Sequence, residues 1–233
     1  MNEYLSLFET KKMVLIMSLP QNDPDLCRAA FDAGADAVKV HINVDHRASG
    51  THFGTLREER DALETMLSHR AGPMGLVPGG SPQAVMGDFR EALSLPFSFY
   101  SVYAHHMPWT RMPEDKVLMA ACDSTYSLAE IAGMPRYCGV LEASVIPGAE
   151  YGAPLTIRDL IKYRQITETV SVPVIVPTQR AIRPCETQVL AEAGVRAVMI
   201  GAIVTGKTRQ EIISAIKAFR KAIDEGEVTC GSR

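Results

Sequence analysis

The chain has 233 residues, which suits one domain and matches the length that a single α/β barrel needs. With 46% hydrophobic residues and a formal net charge of −3, it has the composition of an ordinary soluble globular protein, which argues against nucleic acid as a partner. No stretch of about 20 apolar residues is present, and residues 1–13 lack the charged-then-apolar order of a secretory leader. We therefore expect one domain over residues 1–233, no membrane contact and a cytoplasmic location.

Eight short apolar segments, rich in β-branched residues, are each predicted to form a strand, and most are followed by a helical pattern. They cover residues 14–19, 36–43, 75–78, 97–104, 117–122, 139–145, 172–176 and 195–200. Because buried parallel strands must be covered by helices, this alternation predicts an α/β protein, a (β/α)8 TIM barrel. A doubly wound open sheet is the alternative, but that fold more often has five or six strands.

Capping residues mark where several helices begin and end. Asp23-Pro24 and Ser81-Pro82 each combine an N-cap with a proline in the first helical turn. Thr55–Glu58 and Thr156–Asp159 have the spacing of capping boxes. Gly194 follows a helical pattern, at a point where a helix end needs positive φ.

The five cysteines are scattered along the chain, and no two of them form a CxxC pair. An odd number without metal-ligand spacing favours free thiols in a reducing compartment over disulfides or zinc. We expect free thiols at all of them, namely Cys27, Cys122, Cys138, Cys185 and Cys230.

The segment Gly201–Thr208 (GAIVTGKT) matches the nucleotide-binding pattern G-x-x-x-x-G-K-[ST] and lies between a predicted strand and a predicted helix. We reject a P-loop, because that fold needs several more strands after the loop and only 25 residues follow Thr208. In a barrel, the loops after strands seven and eight commonly form a phosphate site completed by a helix N-terminus. The same turn therefore indicates a phosphate site.

From about residue 190 to the end, the chain resembles the phosphate-binding TIM barrels. This ribulose-phosphate-binding group includes N-acetylmannosamine-6-phosphate epimerase and indole-glycerol-phosphate synthase. The resemblance implies that backbone N–H groups of Gly201 and Ala202 hold a phosphate. Those relatives usually have a glycine after strand seven, where this chain has Pro-Thr-Gln-Arg, so we expect the side chain of Thr178 or Arg180 to substitute.

Polar residues alternate with apolar ones in the second strand, DAVKVHIN. A period of two directs the apolar side chains toward the surrounding helices, and Lys39, His41 and Asn43 toward the barrel axis. Glu142 is the one charge within the sixth strand. In a ring of eight, the second and sixth strands lie opposite each other, so Lys39 and Glu142 are predicted to converge at the mouth.

Such a pair suits proton transfer beside a carbonyl group, with Lys39 as base, Glu142 as acid and His41 polarising the substrate or transferring a proton. There are two alternatives. Lys39 could form a Schiff base with the substrate, or the two residues could form a buried ion pair with a structural role. The long loop 43–55 is a candidate lid over the substrate, and Arg47 within it is a further candidate anion contact.

Histidines offer a second, metal-dependent interpretation. Residues 41–45 (HINVD) resemble the HIDVMD segment of ribulose-phosphate 3-epimerase, whose His and first Asp bind metal, but Asn43 replaces that Asp. We do not transfer the epimerase activity, because its other metal ligands are also missing. A different zinc or manganese site remains open, formed by His41, Asp45, His105 and His106.

We therefore predict an enzyme that acts on a small phosphorylated, carbohydrate-like substrate as an isomerase, epimerase or lyase. No cofactor is expected for this reaction. A metal-dependent hydrolase or lyase using a divalent ion is one alternative, and a non-catalytic barrel that senses a phosphorylated metabolite is another. A homo-oligomer is compatible with the sequence.

Overall fold

Eight parallel strands pair side by side and close on themselves in the computed structural model, which describes residues 2–110 and 112–226. The barrel strands are β1 (Val14–Ser18), β2 (Ala37–His41), β5 (Met74–Val77), β6 (Phe99–Tyr103), β7 (Val117–Cys122), β8 (Val140–Ala143), β9 (Val174–Pro177) and β10 (Ala197–Ile200). Their order around the ring is β1-β10-β9-β8-β7-β6-β5-β2, with β1 paired to both β10 and β2. The predicted (β/α)8 TIM barrel is confirmed, and all eight predicted strands are present within two residues at each end.

Helices surround the barrel and begin where the capping residues predict. They are α1 (Glu3–Thr10), α2 (Pro24–Asp32), α3 (Leu56–Ser68), α4 (Pro82–Ala92), α5 (Leu128–Gly133), α6 (Ile157–Thr169), α7 (Thr187–Glu192), α8 (Ala202–Thr205) and α9 (Arg209–Glu225). The N-caps Asp23 and Ser81 and the capping boxes begun by Thr55 and Thr156 all form, and Gly194 has φ 85°. None of these helices is long and apolar enough to cross a membrane.

The barrel interior is apolar at its base and polar at its mouth. Inward side chains from several strands, among them Ile16, Phe99 and Met119, fill the lower interior, and Tyr4 and Phe8 of α1 cover it from below. A second apolar layer lies between the strands and the helices. Because the base is filled, the room for a ligand inside the described barrel lies at the mouth, at the carboxyl ends of the strands.

Two expectations about the loop after β2 and the cysteines differ from the structure. The loop after β2 contains a β-hairpin, formed by β3 (Val44–His46) and β4 (Thr51–Phe53) paired antiparallel. Cys27, Cys122 and Cys138 are buried free thiols, but Cys185 is disulfide-bonded, so the expectation of a free thiol is wrong there. Cys230 lies outside the described residues.

Candidate active site

A cavity of about 490 Å³ opens at the carboxyl ends of the strands. Most of the candidate residues from the sequence line it, and the β3–β4 hairpin forms part of its wall. The lining candidates are Lys39, His41, Asp45, Arg47, His105, His106, Glu142, Thr178 and Gly201. Asn43, Arg180 and Ala202 are not among its lining residues.

Lys39 and Glu142 meet across the barrel axis, as their strands predict. Nζ of Lys39 lies 3.5 Å from Oε2 of Glu142, and the two residues are only 6% and 5% exposed. The alternation in β2 is also confirmed, because Val38 and Val40 pack in the outer apolar layer. A buried ion pair at the floor of a cavity is costly unless it is well paired or functional.

Two serines hold the carboxylate of Glu142 in place. The Ser101 hydroxyl donates to Oε2 at 2.8 Å, and the Ser144 hydroxyl donates to Oε1 at 2.7 Å. Hydrogen bonds to both oxygens stabilise the ionised carboxylate and fix its orientation. Period two in β6 could have indicated Ser101, since it alternates with Tyr100 and Val102, but only the closed ring shows that it reaches Glu142.

Aromatic and amide side chains from the loops after β8 and β9 line one side of the cavity. The Gln179 amide donates to the Tyr151 hydroxyl at 2.5 Å and accepts from the backbone N–H of Ile146 at 3.1 Å. Burial raises the pKa of the neighbouring Tyr103 well above its ordinary value, and the charge on Glu142 adds to that shift. These groups are therefore neutral hydrogen-bonding partners, and they fix the loop after β8 against the loop after β9.

Two histidines lie together beside the ion pair. The His41 and His46 rings are 4.6 Å apart between centroids, and His41 also lies 4.7 Å from the Phe53 ring. Burial, the other imidazole and the Lys39 ammonium hold the pKa of His41 well below its usual range. Burial and Lys39 lower the pKa of His46 to about 4, against a smaller opposing effect of Glu142. Both rings are therefore neutral near pH 7.

Arg47 connects the hairpin to the opposite side of the mouth. Its guanidinium carbon lies 6.0 Å from the centroid of the Tyr151 ring, in the loop after β8, and Nη1 packs against the backbone at Gly148. β2 and β8 are opposite each other in the strand order, so this contact spans the mouth. Arg47 forms no salt bridge with any described residue, which leaves its charge available for an anion.

The turn after β10 meets the loop after β9 at the predicted phosphate site. The backbone N–H of Gly201 donates to the Thr178 hydroxyl oxygen at 3.1 Å, and both residues line the cavity. The Thr178 hydroxyl donates to no residue that the structure describes, which leaves its hydrogen available for a ligand. Ala202 begins the four-residue helix α8. The phosphate-binding role of these residues remains a prediction.

Arg180 does not have the position that a phosphate ligand needs. Its guanidinium makes a two-pronged ion pair with Asp159, at 2.9 and 3.0 Å, and also contacts Glu150. Arg180 and Asp159 are both buried. The structure therefore shows Arg180 joining α6 to the loop after β9, rather than facing the cavity.

We expect Arg180→Ala to lower the free energy of unfolding by about 3 kcal/mol, because Asp159 loses its buried partner. Burial raises the pKa of Asp159, but hydrogen bonds with Arg180 and Thr156 outweigh it and hold that pKa below its ordinary value. The stabilisation is therefore present above the unfolded pKa of about 4 and is lost as the pH falls further. Urea unfolding at pH 7 and pH 3.5 measures it.

Arg164→Ala is the matched control, because Arg164 pairs with Glu168 on the exposed face of the same helix. We expect it to change stability by less than about 0.5 kcal/mol. Affinity for inorganic phosphate should be the same in both variants. A tenfold loss of phosphate affinity in Arg180→Ala, without a loss of stability, would contradict this assignment.

Asn43 also points away from the axis. It has φ 53°, a left-handed conformation that ends the alternation of β2. Its amide then donates to Oδ2 of Asp88 at 2.8 Å, and the same carboxylate oxygen accepts from the backbone N–H of Leu56. Asn43 thus connects the end of β2 to two helices.

The four candidate metal ligands do not form one cluster. Within residues 2–110 and 112–226, no three His, Cys, Asp or Glu side chains are grouped so as to hold a metal ion. Asp45 is exposed and accepts a hydrogen bond from His52 at 2.7 Å. His105 packs against His106 and contacts the Tyr126 hydroxyl. The geometry therefore gives no support to a site shared by these residues with His41.

No family model and no curated protein matches the chain. Solved structures match its fold along nearly the whole length. Thiamine phosphate pyrophosphorylase from Pyrococcus furiosus is 16% identical, with 92% of this chain and 97% of that one covered and a TM-score of 0.63. Tryptophan synthase from Mycobacterium tuberculosis is 12% identical, with 94% and 96% covered and a TM-score of 0.71.

N-acetylmannosamine-6-phosphate 2-epimerase from Clostridium perfringens is 14% identical, with 89% of this chain and 93% of that one covered and a TM-score of 0.58. Likeness at these identities shows the fold alone. The three solved structures agree with the predicted TIM barrel, and no single family is matched.

Proposed function

We propose that the chain is an enzyme that moves a proton beside the carbonyl group of a small phosphorylated, carbohydrate-like metabolite. The reaction would be an isomerisation, an epimerisation or a lyase cleavage. Its main support is the buried Lys39–Glu142 pair, 3.5 Å apart at the floor of the cavity. A phosphorylated substrate is also supported by the solved proteins with this fold, since the names of two of the three above contain the word phosphate.

The hydrogen bonds around the pair suggest which residue accepts the proton first. Ser101 and Ser144 both donate to Glu142 and stabilise its carboxylate form, so Glu142 is placed as the base. Lys39, as an ammonium, is then the acid that protonates or stabilises the developing oxyanion. In this direction of the reaction the roles are the reverse of those expected from the sequence, where Lys39 is the base and Glu142 the acid. In the reverse reaction the two groups exchange roles again.

Arg47, Thr178 and Gly201 line the cavity around this pair and supply a cation, a hydroxyl and a backbone turn. These are the types of group that bind a phosphate monoester. We assign the phosphate to this part of the cavity, where it anchors the substrate while its carbonyl end reaches Glu142. Binding energy at the phosphate then positions the reacting carbon.

Exchange of carbon-bound hydrogen with D2O, followed by proton NMR, tests this function. Suitable probes are ribulose 5-phosphate, glucose 6-phosphate and N-acetylmannosamine 6-phosphate, after a thermal-shift screen for binding. We expect at least one bound probe to take up deuterium beside its carbonyl carbon, and the Glu142→Gln variant to remove that uptake. Binding without deuterium uptake in the wild-type protein would instead support a sensing barrel.

Borohydride trapping is an independent check on the role of Lys39. A Schiff base between Lys39 and the substrate would be reduced to a stable adduct, which mass spectrometry detects. Acid–base chemistry predicts no adduct at Lys39. An adduct there would replace this proposal with a Schiff-base lyase.

A further inference from the structure

His46 lines the cavity, although the sequence indicated no role for this residue. It is the last residue of β3, in the hairpin over the mouth, and its ring lines the cavity with Lys39 and Glu142. The ring also packs against His41 and Phe53. The hairpin therefore brings an imidazole to the same cavity as the ion pair that the strands supply.

Contacts within the hairpin indicate which ring nitrogen of His46 holds the hydrogen. Nδ1 of His46 lies 2.8 Å from the hydroxyl of Ser49 and accepts the Ser49 backbone N–H at 3.4 Å. A backbone N–H can only donate, so Nδ1 must present its lone pair. In the neutral ring, the hydrogen is then on Nε2.

Nε2 of His46 makes no hydrogen bond to any residue that the structure describes, which leaves its N–H available to a ligand. His41 differs in this respect. It is only 1% exposed, its ring packs against those of His46 and Phe53, and its Nδ1 is buried without a hydrogen-bond partner among the described residues. His41 is therefore better placed to support the His46 ring than to reach a substrate.

The charges around His46 also favour a neutral ring that donates a hydrogen bond. His46 faces Lys39, Glu142 and the neutral His41, and the ammonium of Lys39 disfavours a second positive charge beside it. A neutral imidazole that donates from Nε2 can stabilise an oxygen on which negative charge develops, without first losing a proton. An enolate oxygen, formed when a base removes a proton beside a carbonyl group, is such an oxygen.

We propose that His46 is a catalytic residue whose Nε2–H donates to the substrate's carbonyl oxygen as the proton beside it is removed. Ser49 is the positioning residue that fixes the tautomer, and His41 supports the ring. The inference rests on the proposed function and adds to it, since it places a second donor to the oxyanion, besides Lys39, on the hairpin.

Kinetic constants of two His46 variants test this role, with whichever of the three probes above takes up deuterium. Loss of one oxyanion donor costs about 100-fold in rate, so we expect His46→Leu to lower kcat about 100-fold with KM changed less than threefold. His46→Gln, whose amide lies near the Nε2 position, should recover about tenfold of that loss. His52→Leu is the matched control, because His52 lies exposed on β4 of the same hairpin, and it should retain the wild-type kcat.

Nitrogen-15 NMR of the histidine rings at pH 7 provides a readout that needs no turnover. We expect a neutral His46 ring with its hydrogen on Nε2, and a mixed or Nδ1–H tautomer in Ser49→Ala. An Nδ1–H or charged ring in the wild-type protein would overturn the proposal, as would a wild-type kcat in His46→Leu. If no probe takes up deuterium, the proposed function fails, and the ring spectra then decide whether the site still presents the Nε2–H donor.

Discussion

The double variant Lys39→Met with Glu142→Gln is expected to be inactive yet more stable than either single variant. Removing one partner leaves the other charge buried, which we expect to cost about 2–3 kcal/mol at a site that opens to solvent. The cost should be larger for Glu142→Gln, because Ser101 and Ser144 still stabilise Glu142 when Lys39 is replaced. The double variant removes both charges and should recover most of the loss.

Urea unfolding of the four proteins gives the interaction energy of the pair as a double-mutant cycle. The exposed pair Lys221–Glu225, 3.9 Å apart, provides a matched cycle with Lys221→Met and Glu225→Gln. We expect its coupling to be below about 0.5 kcal/mol. Equal coupling energies in the two cycles would show that Lys39 and Glu142 are not an isolated buried pair. Full activity in the double variant would exclude both residues from the chemistry.

Gly148→Ala is expected to weaken binding of a phosphorylated substrate about as much as Arg47→Ala does. A Cβ at position 148 would lie 1.6 Å from Nη1 of Arg47, so the guanidinium must leave its place across the mouth. A hydrogen bond from a charged group contributes about 1.5–3 kcal/mol, which corresponds to a rise in KM of roughly 10- to 100-fold. Steady-state kinetics with the phosphorylated probe, and with the same sugar without phosphate, measures the effect.

The matched control is Gly133→Ala, at the end of α5, where an added Cβ meets no atom within 4 Å. It should leave KM unchanged. If Arg47 binds the phosphate, the two mouth variants affect the phosphorylated probe and leave binding of the dephosphorylated sugar nearly unchanged. An equal loss for both sugars would assign Arg47 to holding the hairpin in place rather than to the anion.

The fold was predictable because its determinants are local. Each strand is a short apolar segment, and helix starts such as Thr55 and Thr156 have side chains that satisfy the first free backbone N–H groups. The Lys39–Glu142 contact was also predictable, because a closed ring of eight strands places the second opposite the sixth. Alternation along β2 then determines which of its side chains face inward.

The misplaced residues depend on interactions between segments distant in sequence. Arg180 is held by Asp159 and Glu150, 21 and 30 residues away, and no local pattern shows that they meet. Asn43 itself has a left-handed backbone conformation, which ends the inward–outward alternation of β2. His46 has no role in the sequence analysis, because its place in the cavity follows from a hairpin where the sequence indicates only a long loop.

Rates of deuterium uptake and of product formation, measured together for the wild-type protein and two variants, test the central claim most directly. With Glu142 as the base and Lys39 as the acid, Lys39→Met should still take up deuterium slowly while forming almost no product. Glu142→Gln should do neither. Deuterium uptake by Glu142→Gln at the wild-type rate would contradict the assignment of the proton transfer to this pair.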